Sequence, residues 1–160
     1  MMLSAHAAVG VASSLLFIND DDTIPSKKAY ISAFTVNVFL HGVMDLFPHS
    51  HPISPYLDVI VSLLIAALLF LVKKEYRTLI LFCYLGSITP DVIDLGIFRV
   101  LRLGSLRIFP WHFLSVYNFL NEIFTNSRVN MIFNMVPVLA CLGIVFFKRK
   151  RLKSILNKVN

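Results

Sequence analysis

The sequence predicts an all-α membrane protein: a polytopic helical bundle of about five spanning helices plus an interfacial or re-entrant helical segment. Three observations predict it. Of 160 residues 57% are hydrophobic, and mean hydropathy is +0.74, more apolar surface than a water-soluble core of this size hides. The apolar residues gather in runs of helical length, several of them apolar all round, as lipid-facing helices are. The basic residues sit beside those runs rather than in a patch of their own. A net charge of +6 and a pI of about 9.6 therefore read as topology signal and headgroup contact. Membrane lipids are the expected partners and no nucleic acid is expected; the sequence sets no oligomeric state. Cys83 and Cys141 lie inside apolar runs and read as small packing residues, not a disulfide.

The first run, 3–18, has no basic segment ahead of it and no small-residue cleavage site after it, so it reads as a retained, short helix. The second, 29–47, is long enough to cross. The third, 56–72, starts after Ser54 and Pro55, with Pro at the first helical position, and ends at a Lys73 to Arg77 basic cluster. The fourth, 77–98, is interrupted between Gly86 and Pro90, where Thr89 suits an N-cap and Pro90 a first helical position. The segment 99–126 is apolar but carries Arg99, Arg102, Arg107 and Glu122, and reads as one or two interfacial or re-entrant helices. The fifth run, 129–147, is kinked at Pro137 and precedes a basic cytoplasmic tail, 148–160. The whole of 1–160 is one transmembrane helical domain.

Five crossings place eleven Lys and Arg residues on one face and four on the other. The basic face is cytoplasmic, with the C-terminus inside and the N-terminus outside. The plain expectation is the plasma (inner) membrane of a prokaryote. This order collects polar groups at the outer end: His6, His41, His49, His51 and His112, with Asp45, Asp91 and Asp94 at similar depth. His41 and Asp45 are i and i+4, and Asp91 and Asp94 are i and i+3, so each pair shares a helix face. Acids inside apolar segments are costly and usually have partners and a function. Imidazole with carboxylate suits a divalent zinc, manganese or iron ion. Such an ion lowers the pKa of a bound water toward neutrality and makes a nucleophile.

His6, His41, Asp45, His49, Asp91 and Asp94 are thus the candidate metal ligands, with His112 as an additional one. His41, Asp45 and Asp94 are the candidate catalytic groups. Arg99 and Arg102 follow the aspartates and are candidates for a substrate headgroup, or interfacial anchors. Asp58 reads as serving the N-terminus of its own helix. Two non-catalytic readings stand beside a hydrolase: an integral membrane protein with a structural His/Asp network, and a small transporter.

At these residues the chain resembles the predicted membrane-bound, metal-dependent hydrolases, a family of small multi-helix membrane proteins. His6-x3-Gly10 is similar to the family's N-terminal pattern. His41-x3-Asp45-x2-Pro48-His49 and Gly86-x3-Pro90-Asp91-x2-Asp94 resemble two further motifs, the last with a two-residue gap. The resemblance spans about the first 95 residues. Where many members carry His-Arg-Gly-x-Thr-His-Ser, this chain has Pro110, Trp111, His112, Phe113, Leu114 and Ser115. The resemblance implies hydrolysis of a phosphoester or lipid-linked substrate near the outer interface, at a metal.

Overall fold

A computed structural model describes residues 3–18, 25–46, 54–103, 106–113 and 127–156, with side chains described outside 127–134. Most of these residues are helical; the one extended pairing among them is a single antiparallel bridge between Val72 and Leu156. Helix α1 is Leu3–Ser13, tightened into a 3₁₀ turn at Ser14–Leu16. Helix α2 is Lys27–Asp45, with the Ser26 hydroxyl capping Ala29 N–H at 3.3 Å. Helix α3 is Pro55–Ala67, capped by Ser54 and followed by a 3₁₀ turn at Leu68–Leu71. Helix α4 is Lys74–Asp91 and runs on through a π-helical stretch, Val92–Ile97, into a last α-turn, Phe98–Val100. A 3₁₀ turn at Pro110–His112 follows, then α5, Ser127–Phe147, and α6, Arg149–Ile155.

The number of spanning helices is smaller than the sequence predicts. Among the described residues only Lys74–Val100 is both long and apolar enough to cross a bilayer. Its 27 residues reach about 40 Å, against a hydrocarbon core of about 30 Å. Leu3–Leu16 and Pro55–Leu71 are apolar but shorter, and α5 is apolar over Met135–Phe147, the part whose side chains are described. The α2 helix has the length but carries Lys27, Lys28, Asn37, His41 and Asp45. The helices follow the apolar runs nearly to their ends, and Leu3–Leu16 and Pro55–Leu71 are themselves too short to cross. The chain leaves α1 through a 3₁₀ turn, and after Leu71 it turns extended at Val72 (φ −101°, ψ 147°).

The expected interruption also moves. The helix passes unbroken through Gly86 and Pro90, and the irregular stretch comes after Asp91. Proline supplies no N–H to the turn before it, and the Thr89 hydroxyl donates to Leu85 O at 2.6 Å. Gly86 lies against the Phe34 carbonyl of α2, where no Cβ would fit. Its small size thus serves close helix approach, not a break. Of the expected segment 99–126 the described part holds the end of α4 and one 3₁₀ turn; 104–105 and 114–126 lie outside the described residues.

Helices α1, α2 and α4 pack together, with α3 and α5 against α1. At one end Leu15, Ile18, Ala33, Val72, Tyr76, Leu79, Ile80 and Cys83 form an apolar cluster, closed by Ile155 of α6. The basic tail is docked there: Lys73 N–H donates to Ile155 O at 2.8 Å and Arg151 Nη1 to Leu15 O at 3.0 Å. A polar layer follows, in which the Ser13 hydroxyl donates to Asn37 Oδ1 at 2.8 Å.

Side-chain placement in α3 is inverted relative to a soluble helix. Its buried residues are Asp58 and Ser62, while Tyr56, Leu57, Val59, Ile60, Leu63 and Leu64 are exposed. Asp58 stands in the first turn of its own helix, as expected, and has a second role. It accepts from Leu3 N–H at 2.7 Å, Ser4 N–H at 2.9 Å and the Ser4 hydroxyl, so it caps α1 from across the bundle. Ser62 meets the Tyr84 hydroxyl of α4 at 3.1 Å.

Candidate metal centre

The other end of the same helices is polar. The α2 helix brings His41 and Asp45, α4 brings Asp91, and the 3₁₀ turn brings His112. Five separations between their facing atoms lie between 3.0 and 3.5 Å. His41 Nε2 is 3.0 Å from Asp45 Oδ2 and 3.5 Å from Asp91 Oδ1. His112 Nε2 is 3.0 and 3.3 Å from the same two oxygens. The two Nε2 atoms are 3.4 Å apart. Four donors bound at about 2.0–2.1 Å to one tetrahedral ion would stand about 3.3–3.4 Å from one another. This group can hold a metal ion.

Hydrogen bonding orients both rings for that role. His41 Nδ1 is 2.6 Å from the Ser87 carbonyl, which only accepts, so Nδ1 carries the hydrogen. His112 Nδ1 is 2.9 Å from Asp94 Oδ2, with the same consequence. In the neutral rings both Nε2 lone pairs then face each other and two carboxylates. An arrangement of four electron-pair donors requires a positive charge among them, supplied by protons or by a metal. In the metal-free chain His112 supplies it. Burial opposes its charge, but hydrogen bonds to Asp45, Asp91 and Asp94 prevail and push its pKa up to about 10.

Asp94 is fully buried and both its oxygens are engaged. They accept from Ile108 N–H and Phe109 N–H, each at 3.0 Å, and from His112. It therefore stands behind His112 instead of facing the four-donor group, a carboxylate–histidine arrangement common around metals. His6 is likewise one step back. Its Nε2 donates to Asp45 Oδ1 at 3.1 Å and its ring stacks on His41 with centroids 3.7 Å apart. His6 Nδ1 is buried without a partner among the described residues, as is Trp111 Nε1. Trp111 packs on Gly42, where a Cβ would come within 2.5 Å of the ring; glycine after His41 lets the indole cover the site. The side chains of Asp91, His112 and Asp45 remain 14%, 8% and 7% exposed, so access is by the Asp91 side.

Of the residues singled out from sequence, the fold brings together His6, His41, Asp45, Asp91, Asp94 and His112. His49 and His51 lie outside the described residues. Arg99 and Arg102 line a cavity with Leu95 and Arg107. Sequence spacing did not reveal the backbone groups of Ser87, Ile108 and Phe109, because nothing in a residue's type marks its carbonyl or N–H as a partner. Gly42 beside His41 was the available signal for the indole cover. Compared with known proteins, the chain matches no family model, no curated protein and no solved structure.

Proposed function

We propose that this chain is a membrane-embedded, metal-dependent hydrolase acting on a phosphoester. His41, Asp45, Asp91 and His112 hold the metal, Asp94 orients His112 and His6 orients Asp45. The observation that carries the reading is the pair of hydrogen-bond-oriented imidazoles, each aiming Nε2 at the same two carboxylates. When bound, a divalent ion supplies Lewis acidity and a water acidified to near-neutral pKa. The chain's own part is to fix the donors, to keep one side open at Asp91, and to shield the rest with Trp111. The likeness of the His6, His41 and Pro90 motifs to the membrane-bound hydrolases supports the reaction class. The membrane setting is supported by the α4 span and by the apolar exterior of α3.

Metal identity bears directly on the reading. Four protein donors complete a tetrahedral zinc site, as in structural centres. The same four leave two positions on six-coordinate manganese or iron(II). The non-catalytic reading, a metal or proton network that locks α2, α4 and the Pro110–His112 turn, is favoured by that four-donor completeness. Elemental analysis of the purified chain, with turnover of a phosphoester panel before and after chelation, separates the two. About one metal per chain and chelator-sensitive turnover are expected. Stoichiometric metal with no turnover on any phosphoester would establish a structural centre instead.

A further inference from the structure

We infer that the apolar end of the bundle, at the far end of the helices from the metal centre, presents a composite surface that binds the acidic headgroups of a phospholipid leaflet. None of the metal donors takes part. The first observation is the docking of the tail. Lys73 N–H donates to Ile155 O at 2.8 Å, Val72 pairs with Leu156, and Ile155 is buried in the apolar cluster. Two basic clusters far apart in sequence thereby become one surface. Lys73 and Lys74 are exposed at the start of α4, and Arg149, Lys150 and Lys153 are exposed on α6. Lys27 and Lys28, exposed at the start of α2, stand at the same end, since Ala33 of that helix belongs to the cluster. Arg77 and Arg151 are engaged on backbone carbonyls and add nothing to the count. The acidic residues of these segments are Glu75 and, outside the described residues, Asp20, Asp21 and Asp22, so cations prevail.

The second observation is what lies among the cations. Phe70, Leu71, Phe146 and Phe147 are all exposed, Phe147 to 81%. The Arg149 guanidinium lies over the Phe146 ring, 5.1 Å from its centroid. Charge alone suits any polyanion. Bulky apolar groups beside it favour a bilayer interface, where rings sit at headgroup level and long basic side chains reach the phosphates. The third observation is level. The α4 span begins at Lys74, so the surface stands where that span enters the bilayer.

The test titrates the full-length chain in uncharged detergent with phosphatidylglycerol and, separately, with phosphatidylcholine, and reads retained lipid by native mass spectrometry. Selective, saturable retention of phosphatidylglycerol is expected, falling as salt rises. Each exposed cation at a headgroup layer contributes about fivefold. A triple Arg149→Gln, Lys150→Gln, Lys153→Gln variant should therefore lose about a hundredfold, and Lys73→Gln with Lys74→Gln about twenty-five-fold. All five side chains are exposed, so Tm and metal content should stay near those of the parent. Ile155→Ser loosens the docking and keeps every cation. It should lower phosphatidylglycerol retention, whereas a loose basic tail would bind as before. Equal retention of the two lipids, or parent-like selectivity in any of the three variants, overturns the composite surface. Preference for a single-stranded oligonucleotide over phosphatidylglycerol would also overturn it, and would assign this end to nucleic acid.

Discussion

The two ends of the helical bundle are built from the same helices by opposite means. At one end α1, α2 and α4 meet through Leu15, Ile18, Ala33, Leu79 and Ile80, whose contacts are non-directional. At the other end the same helices meet through His6, His41, Asp45 and Asp91, where each contact has a donor, an acceptor and a required angle. Between them lies the Ser13 and Asn37 layer. The difference teaches that non-directional packing and directional polar contacts occupy separate parts of one short bundle. The apolar end tolerates volume-conserving exchange. The polar end tolerates little, since removing one partner leaves the others buried and unpaired.

The largest effect should come from the polar end. A double His41→Ala, Asp45→Ala variant should lose its metal entirely, read by elemental analysis of folded protein. Full metal retention there would erase the distinction between the ends. A pH dependence comes next. In the metal-free chain the folded pKa of His112 lies above its ordinary value of 6.5, at about 10. Its ion pairing with the aspartates therefore stabilises the fold fully below about pH 6.5, and that contribution disappears as pH rises through about 10. A metal must displace that proton, so apparent metal affinity should rise about tenfold per pH unit across this window. Calorimetry in buffers of different ionisation enthalpy should show a proton released on binding; release of none would contradict the assignment.

Leu79→Ala sharpens the contrast from the apolar end. Leu79 is fully buried, and its truncation should lower unfolding free energy by about 2–5 kcal/mol with metal stoichiometry intact. Asp94→Asn keeps the shape but changes what His112 Nδ1 meets. It should weaken metal affinity about 10–100-fold, measured by competition with a chelator, and lower Tm of the metal-free chain as well, because an amide N–H then faces at least one of the three donors that Asp94 accepts from. The smallest change is Asp58→Ala, which uncaps α1 from across the bundle. A loss of about 1 kcal/mol without loss of metal is expected; equal loss of metal would mean that the start of α1 sets the position of His6.

Much of the site was legible in the sequence, and the reason is local. His41 and Asp45 share one turn of one helix, and so do Asp91 and Asp94, so spacing alone puts each pair on one face. The depth argument that joined those pairs relied on alternating helix directions, which short connections between apolar runs make easy to read. His112 was legible only as an extra candidate. It stands on a loop whose position is set by Asp94 holding Ile108 and Phe109, a long-range contact with no periodic signature. The count of spanning helices was read wrongly for another reason. The helices follow their apolar runs to Leu16 and Leu71 but stop short of a bilayer's width, and α2 has the length while carrying Lys27, Lys28, Asn37, His41 and Asp45.

Sequence by itself determined the apolar character of the chain, the helical runs, and the pairing of imidazoles and acids on individual helix faces, because these follow from side-chain type at fixed spacing. Tertiary structure alone decided which nitrogen of each histidine is free and that Asp94 and His6 stand behind the donors instead of among them. It also decided that Asp58 caps a helix other than its own. Those outcomes depend on the direction of hydrogen bonds between segments far apart in the chain, and direction exists only once the segments are packed.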